Sequence, residues 1–134
     1  MRRTSTLLGM AVTAAMSSAT LACGVCIEDK VAVTYDHAVV RAATEAHRQV
    51  VFVALGGADA TRAGARIVAA AARVKGVDRT SIRYAPSPPA FSFTLARSVP
   101  PGEAVAAFRS AVGGMDVDMT VIRLVRDGAL VDPP

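Results

Sequence analysis

The sequence predicts an α/β chain of the α+β kind, a sheet-and-helix sandwich with one additional helix in front of it. Three observations predict it. Residues 50–55 are a continuous apolar run rich in β-branched side chains, as in a strand buried on both faces. Residues 81–84 and 91–95 alternate polar with apolar, as in two paired, half-buried strands. Segments with helical spacing precede and separate these strands.

The N-terminus comes first, because it decides which residues belong to the mature chain. Arg2 and Arg3 give a positive start, residues 7–16 are uncharged and apolar, and residues 17–22 are small and polar, which is the tripartite order of a signal peptide. The apolar run would measure about 15 Å as a helix, whereas a bilayer span takes about 20 residues. The expectation is therefore an exported protein, periplasmic or secreted, with no stable membrane span after cleavage. Cleavage after Ala22 would make Cys23 the first mature residue; cleavage after Ala19 fits the same signal. Thr20-Leu21-Ala22-Cys23 also resembles a bacterial lipoprotein box, with Thr20 where leucine is expected, so lipid anchoring at Cys23 is the lesser alternative.

Loss of residues 1–22 takes away Arg2 and Arg3 and lowers the net charge from +4 to +2. The remaining charges are interspersed, so no nucleic-acid partner is expected. A chain of this length buries about two thirds of its surface and folds without disulfides. Cys23 and Cys26 are the only cysteines, which excludes a disulfide scaffold.

Ile27, Val31, Ala38 and Ala42 lie within about 60° of one another at 100° per residue, so residues 26–47 read as one amphipathic leading helix. After the strand at 50–55, Gly56-Gly57 turn the chain. Asp59 can then cap a helix to Val74 that turns Ala63, Ile67, Ala70 and Val74 inward and Arg62, Arg66 and Arg73 outward, with Gly76 ending it. Ile82 and Tyr84 belong to one hairpin strand and Phe91, Phe93 and Leu95 to the other, joined by a loop, Pro86-Ser87-Pro88-Pro89, that cannot continue either ladder. Pro101 opens a helix burying Val105, Phe108 and Val112 and ending at Gly113-Gly114, and residues 117–125 form the last strand.

Strand, helix, strand, strand, helix, strand is the split βαβ, or ferredoxin-like, plan, a βαββαβ sandwich. The chain then divides into a signal peptide (1–22), a Cys-x-x-Cys segment with the leading helix (23–48), a ferredoxin-like domain (49–126) and a C-terminal tail (127–134) with Pro133-Pro134 as a frayed end. Because residues 50–55 have no polar face, the leading helix is expected to cover the side of the sheet that the other two helices leave open. That expectation puts Val51, Val53 and Leu55 on one buried face and Val50, Phe52 and Ala54 on the other.

Over residues 50–126 this order, with Gly76-Val77 leading into Ser81-Ile82-Arg83-Tyr84 and the second helix ending in Gly113-Gly114, resembles a heavy-metal-associated domain. Such domains carry Met-x-Cys-x-x-Cys between the first strand and first helix. Here Leu55-Gly56-Gly57-Ala58-Asp59-Ala60 stands in that place, so no ligand carries over. Cys23-Gly24-Val25-Cys26 ahead of a helix is similar, more weakly, to the Cys-Gly-x-Cys of thioredoxin-like proteins. The strand that should precede those cysteines is taken by the signal peptide, and no proline stands just before Ser81.

Cysteines three apart at the start of a helix share one turn, where unpaired N–H groups and the helix dipole favour thiolates. Three readings of Cys23 and Cys26 follow. The pair can hold a soft metal ion, Cu(I) above all, for buffering or hand-over. It can act on a thiol or disulfide protein partner by exchange. It can also form an inert structural disulfide in a structural or partner-binding domain. None of the three needs further catalytic residues, and nucleophilic triads, phosphate loops and paired His-Glu metal motifs are missing from the sequence.

A zinc site would need about two more ligands. His37 shares nearly the same helical face as Cys26 but stands about 16 Å along a straight helix, too far to share one ion. It reads as a surface histidine, and His47 as a charge complementing a helix end. Met115 and Met119 are conceivable thioether ligands, although the alternation of Met119 with Val117 and Val121 favours core packing.

Overall fold

The computed structural model describes residues 22–134, with side chains from Ile27 onward. Two helices lead, α1 (Ala22–Ala32) and α2 (His37–Glu45). Strand β1 (Gln49–Gly56) is followed by α3 (Gly64–Ala70), which short 3₁₀ turns extend at both ends. The hairpin strands β2 (Val77–Pro86) and β3 (Pro89–Leu95) come next, then α4 (Pro101–Ala111), β4 (Asp118–Arg126) and β5 (Ala129–Val131). The fold is α+β: a five-stranded sheet in the order β2-β3-β1-β4-β5, antiparallel at every pairing.

β1 belongs to two cores at once. Val51, Val53 and Leu55 face a cluster with Ile67 of α3 and Val105 and Phe108 of α4, while Val50 and Phe52 face a separate cluster with Val31 of α1 and Val40 and Ala43 of α2. Ala54 packs against the second cluster. The period-2 geometry of a strand divides the six residues in this way, and helices on both sides of the sheet leave neither face to water. In the first core the Phe108 ring lies 5.1 Å from Phe91 and 5.0 Å from Phe93, centroid to centroid. In the second, Tyr35 stacks on Phe52 at 6.0 Å. β4 reaches both cores through a bulge: Phe52 pairs with Arg123 and Val53 with Val121, so Ile122 is the extra residue and turns to the second core.

The single leading helix over 26–47 is in fact two. Thr34 ends the first, its hydroxyl donating to the carbonyls of Lys30 and Val31 at 3.3 and 3.5 Å. Asp36, in extended conformation, starts the second by accepting from the amides of Ala38 and Val39 at 2.9 and 3.3 Å. The break resets the helical phase. Ala38 and Ala42 are therefore exposed, and Val40 and Ala43 point inward in their place.

Asp36 also accepts from Arg83 Nε at 2.9 Å, which ties the cap to the edge strand β2. The Arg83 hydrogen bond, followed by the Val39 amide, holds this carboxyl below its usual range. A carboxyl depressed by folding stabilises above its unfolded value near 4, and that contribution is lost as pH falls through the folded value. Asp36→Ala, which removes both cap and pair, is expected to lower the Tm by about 4–8 °C at neutral pH. Asp36→Asn keeps a capping oxygen and should lower it much less while flattening the loss of stability in acid. Thermal melts of both variants at neutral and acid pH check this.

Three further expectations are corrected. β3 is buried on both faces, because α1 and α2 cover its polar side; Ser92 donates to the Thr34 carbonyl at 2.9 Å, and Ser81 Oγ accepts from the Thr94 amide at 2.7 Å. The hairpin ladder runs on to Pro86 opposite Pro89, leaving a two-residue turn, since an edge strand and a strand's first residue both tolerate proline. The tail is partly ordered: Asp127 and Gly128, at φ 51° and 79°, turn the chain so that β5 pairs with β4.

Candidate functional site

Cys23 and Cys26 lie in α1, which is described from Ala22 onward, and their side chains fall outside the described residues. The signal peptide proposed for 1–22 likewise lies outside them, apart from Ala22. What the structure does describe is the mounting. Ile27 and Val31 seat α1 on the second core, and Arg123 of β4 reaches Glu28 at 3.5 Å. The pair thus comes directly before the residues that fix α1 to the sheet.

The other candidate ligands do not gather with one another. Met119 is buried in the first core and Met115 packs against that core, on the sheet face opposite α1. The sheet separates these thioethers from Ile27 and Val31 of α1. His37 is exposed at the start of α2, its ring edge-on to Tyr35 at 4.9 Å. His47 sits just past the end of α2 at φ 54°, a left-handed position that histidine adopts more readily than most residues. Among the described residues no three His, Cys, Asp or Glu side chains form a metal-binding group, and no helix among them is long and apolar enough to cross a membrane.

The loop after β1, where a heavy-metal-associated domain would hold its ligands, is a structural lash. Asp59 does not cap the helix after it. Its Oδ2 accepts from the Asp116 amide at 2.8 Å, while the Asp59 and Ala58 amides donate to the Asp116 carbonyl and carboxylate, both at 3.0 Å. Arg62 pairs with the same Asp59 carboxylate. The Asp116 amide first, and Arg62 second, hold Asp59 below the usual carboxylate range. The loop thereby fastens α3 to the connection between α4 and β4, with its polar groups spent on itself.

The sequence gives no warning of a groove of about 490 Å³ on the second face, between α2 and β2. One wall is the small-residue side of α2, with Ala38, Val39, Ala42 and Ala46; the other carries Asp78, Thr80 and Arg83 of β2, with Arg48 between them. It exists because α2 packs over β1 and β3 and stops short of the edge strand. Asp78 Oδ1 accepts from both the amide and the hydroxyl of Thr80, at 2.9 and 2.7 Å, and these bonds hold its carboxyl below the usual range. No family model, curated protein or solved structure matches the chain.

Proposed function

We propose that this chain is an exported small protein whose Cys23 and Cys26 bind a soft metal ion, Cu(I), for buffering or hand-over. The observation that carries the reading is the Cys-x-x-Cys spacing in α1. At that spacing two thiolates sit side by side on one turn, and the unpaired amides at the helix N-terminus favour their charged form. Two soft ligands suffice for Cu(I), so a site without histidine or methionine is chemically complete. For the fold we propose the ferredoxin-like plan with a two-helix N-terminal addition. It is supported by the β4-β1-β3-β2 run of antiparallel strands and by α3 and α4 sharing one core.

Titration of the reduced, processed protein with Cu(I) against a competing chelator should show uptake of about one equivalent. Cys23→Ser and Cys26→Ser should each nearly abolish it, because one thiolate lacks its chelate partner. Thermal melts of both variants should stay within about 2 °C of the parent, since a short loop near a chain end constrains little. Unchanged copper affinity in the double serine variant would sink the metal site. Turnover with a disulfide substrate would move the assignment to thiol exchange, and a large loss of stability would move it to a structural disulfide.

A further inference from the structure

We infer that the groove between α2 and β2 is a binding site for a small monocarboxylate with a compact apolar body. The argument begins with Arg48. Three arginines of the described chain are half-buried: Arg48, Arg83 and Arg123. Arg83 has Asp36 as its counter-ion, and Arg123 has Glu28 and Asp132. Arg48 has no carboxylate within ion-pair distance among the described residues. The residues before Ile27 cannot supply one, because the first acidic residue in the chain is Glu28.

The Arg48 guanidinium makes one hydrogen bond, from Nη2 to the Gly76 carbonyl at 2.6 Å, and its buried Nε has no acceptor among the described residues. A half-buried guanidinium is normally matched by a carboxylate or a set of carbonyls, since its donors are costly to leave unpaired. The buried Nε is closed to any ligand and Asp78 attracts Arg48 only at longer range, so the terminal nitrogens of Arg48 are the donors a ligand in the groove would meet.

The groove's other features select the class of anion. Of the charged residues lining it, Arg83 is already paired with Asp36 and Asp78 is held by Thr80, which leaves Arg48 as the one cation free to meet an anion. A phosphate would bring a second negative charge beside Asp78 and has no apolar body for the alanine wall. The Thr80 hydroxyl is committed to Asp78, the Ser81 hydroxyl to the Asp78 carbonyl, and Arg83 Nε to Asp36. A carboxylate needs only the two-donor edge of one guanidinium. The alanines of α2 and Val39 supply an apolar wall for the rest of the molecule, and the volume falls within the 300–1,000 Å³ usual for small-ligand sites.

The test is NMR titration of the whole chain with hexanoate, using hexanol and inorganic phosphate as comparison probes. Hexanoate is expected to give saturable shifts at Ala42, Thr80 and Ser81, with hexanol and phosphate each at least about tenfold weaker. Arg48→Gln should weaken hexanoate binding by at least about tenfold. Because that variant also loses the Gly76 bond, Ala42→Leu provides the second arm. It fills the groove from an exposed helix position, keeps Arg48, and should abolish the shifts. Absence of saturable shifts, equal binding of hexanol, tighter binding of phosphate, or unchanged affinity in a folded Ala42→Leu variant would each overturn the inference.

Discussion

Phe108→Ala is expected to lower the unfolding free energy by about 3–5 kcal/mol, the range for truncating a fully buried phenylalanine. Phe108 is fully buried and its ring meets both Phe91 and Phe93, so truncation removes an aromatic from the centre of a three-ring cluster. The neighbours cannot close the gap. Phe91 and Phe93 are fixed on β3 by its pairing with β1, and α4 is held at its far end by Arg109, which donates to the Met119 carbonyl at 2.8 Å. A domain of this size has a total stability of about 5–15 kcal/mol, so the variant should stand near the edge of folding. Urea denaturation reads the loss directly; a change below about 1 kcal/mol would mean that the three rings do not form a rigid core.

Gly57→Ala is expected to cost about 3 kcal/mol through a different mechanism. Gly57 has φ 92°, where an L-residue is strained by about 1–2 kcal/mol. A Cβ there would also collide with the Asp116 carbonyl oxygen, and overpacking of this kind costs about 1–3 kcal/mol. Relief requires the two loops to part. That opens the reciprocal Asp59–Asp116 bonds, so the damage should appear as faster amide exchange at Ala58, Asp59 and Asp116 as well as a lower Tm. Gly102→Ala is the matched control: a Cβ there meets nothing within 4 Å.

The elements with a strong periodic signal are legible in the sequence. Ile67, Val105, Phe108 and Val112 are buried as helical spacing demands, and the unbroken apolar run of β1 correctly implies cover on both faces. The break at Asp36 is hidden by coincidence, because Ile27, Val31, Ala38 and Ala42 share a phase across it. The competing signal is Asp36 itself, a preferred N-cap residue preceded by the β-branched Val33 and Thr34. β5 likewise had a local marker in Asp127-Gly128, a strong two-residue hairpin signal. The groove had none. It arises where α2 meets a strand some 40 residues away in sequence, and no local pattern records how far a helix stops short of a sheet edge. For Cys23 and Cys26 the reverse holds: their spacing is carried by the sequence alone.

The place of β1 in the sheet governs when this chain can fold. It is the first strand synthesised, yet its two neighbours are β3 and β4, and Val50 meets Val125 near the opposite end of the chain. Neither half of the polypeptide therefore contains a complete sheet, and most of the ordering entropy must be met before the long-range pairs form. A growing chain emerges at about 5–20 residues per second. Throughout that interval β1 lacks at least one of its two partners: β3 is available first, and the other edge of β1 stays open until β4 arrives. Until then that open apolar edge is the part of the chain most in need of protection from other chains.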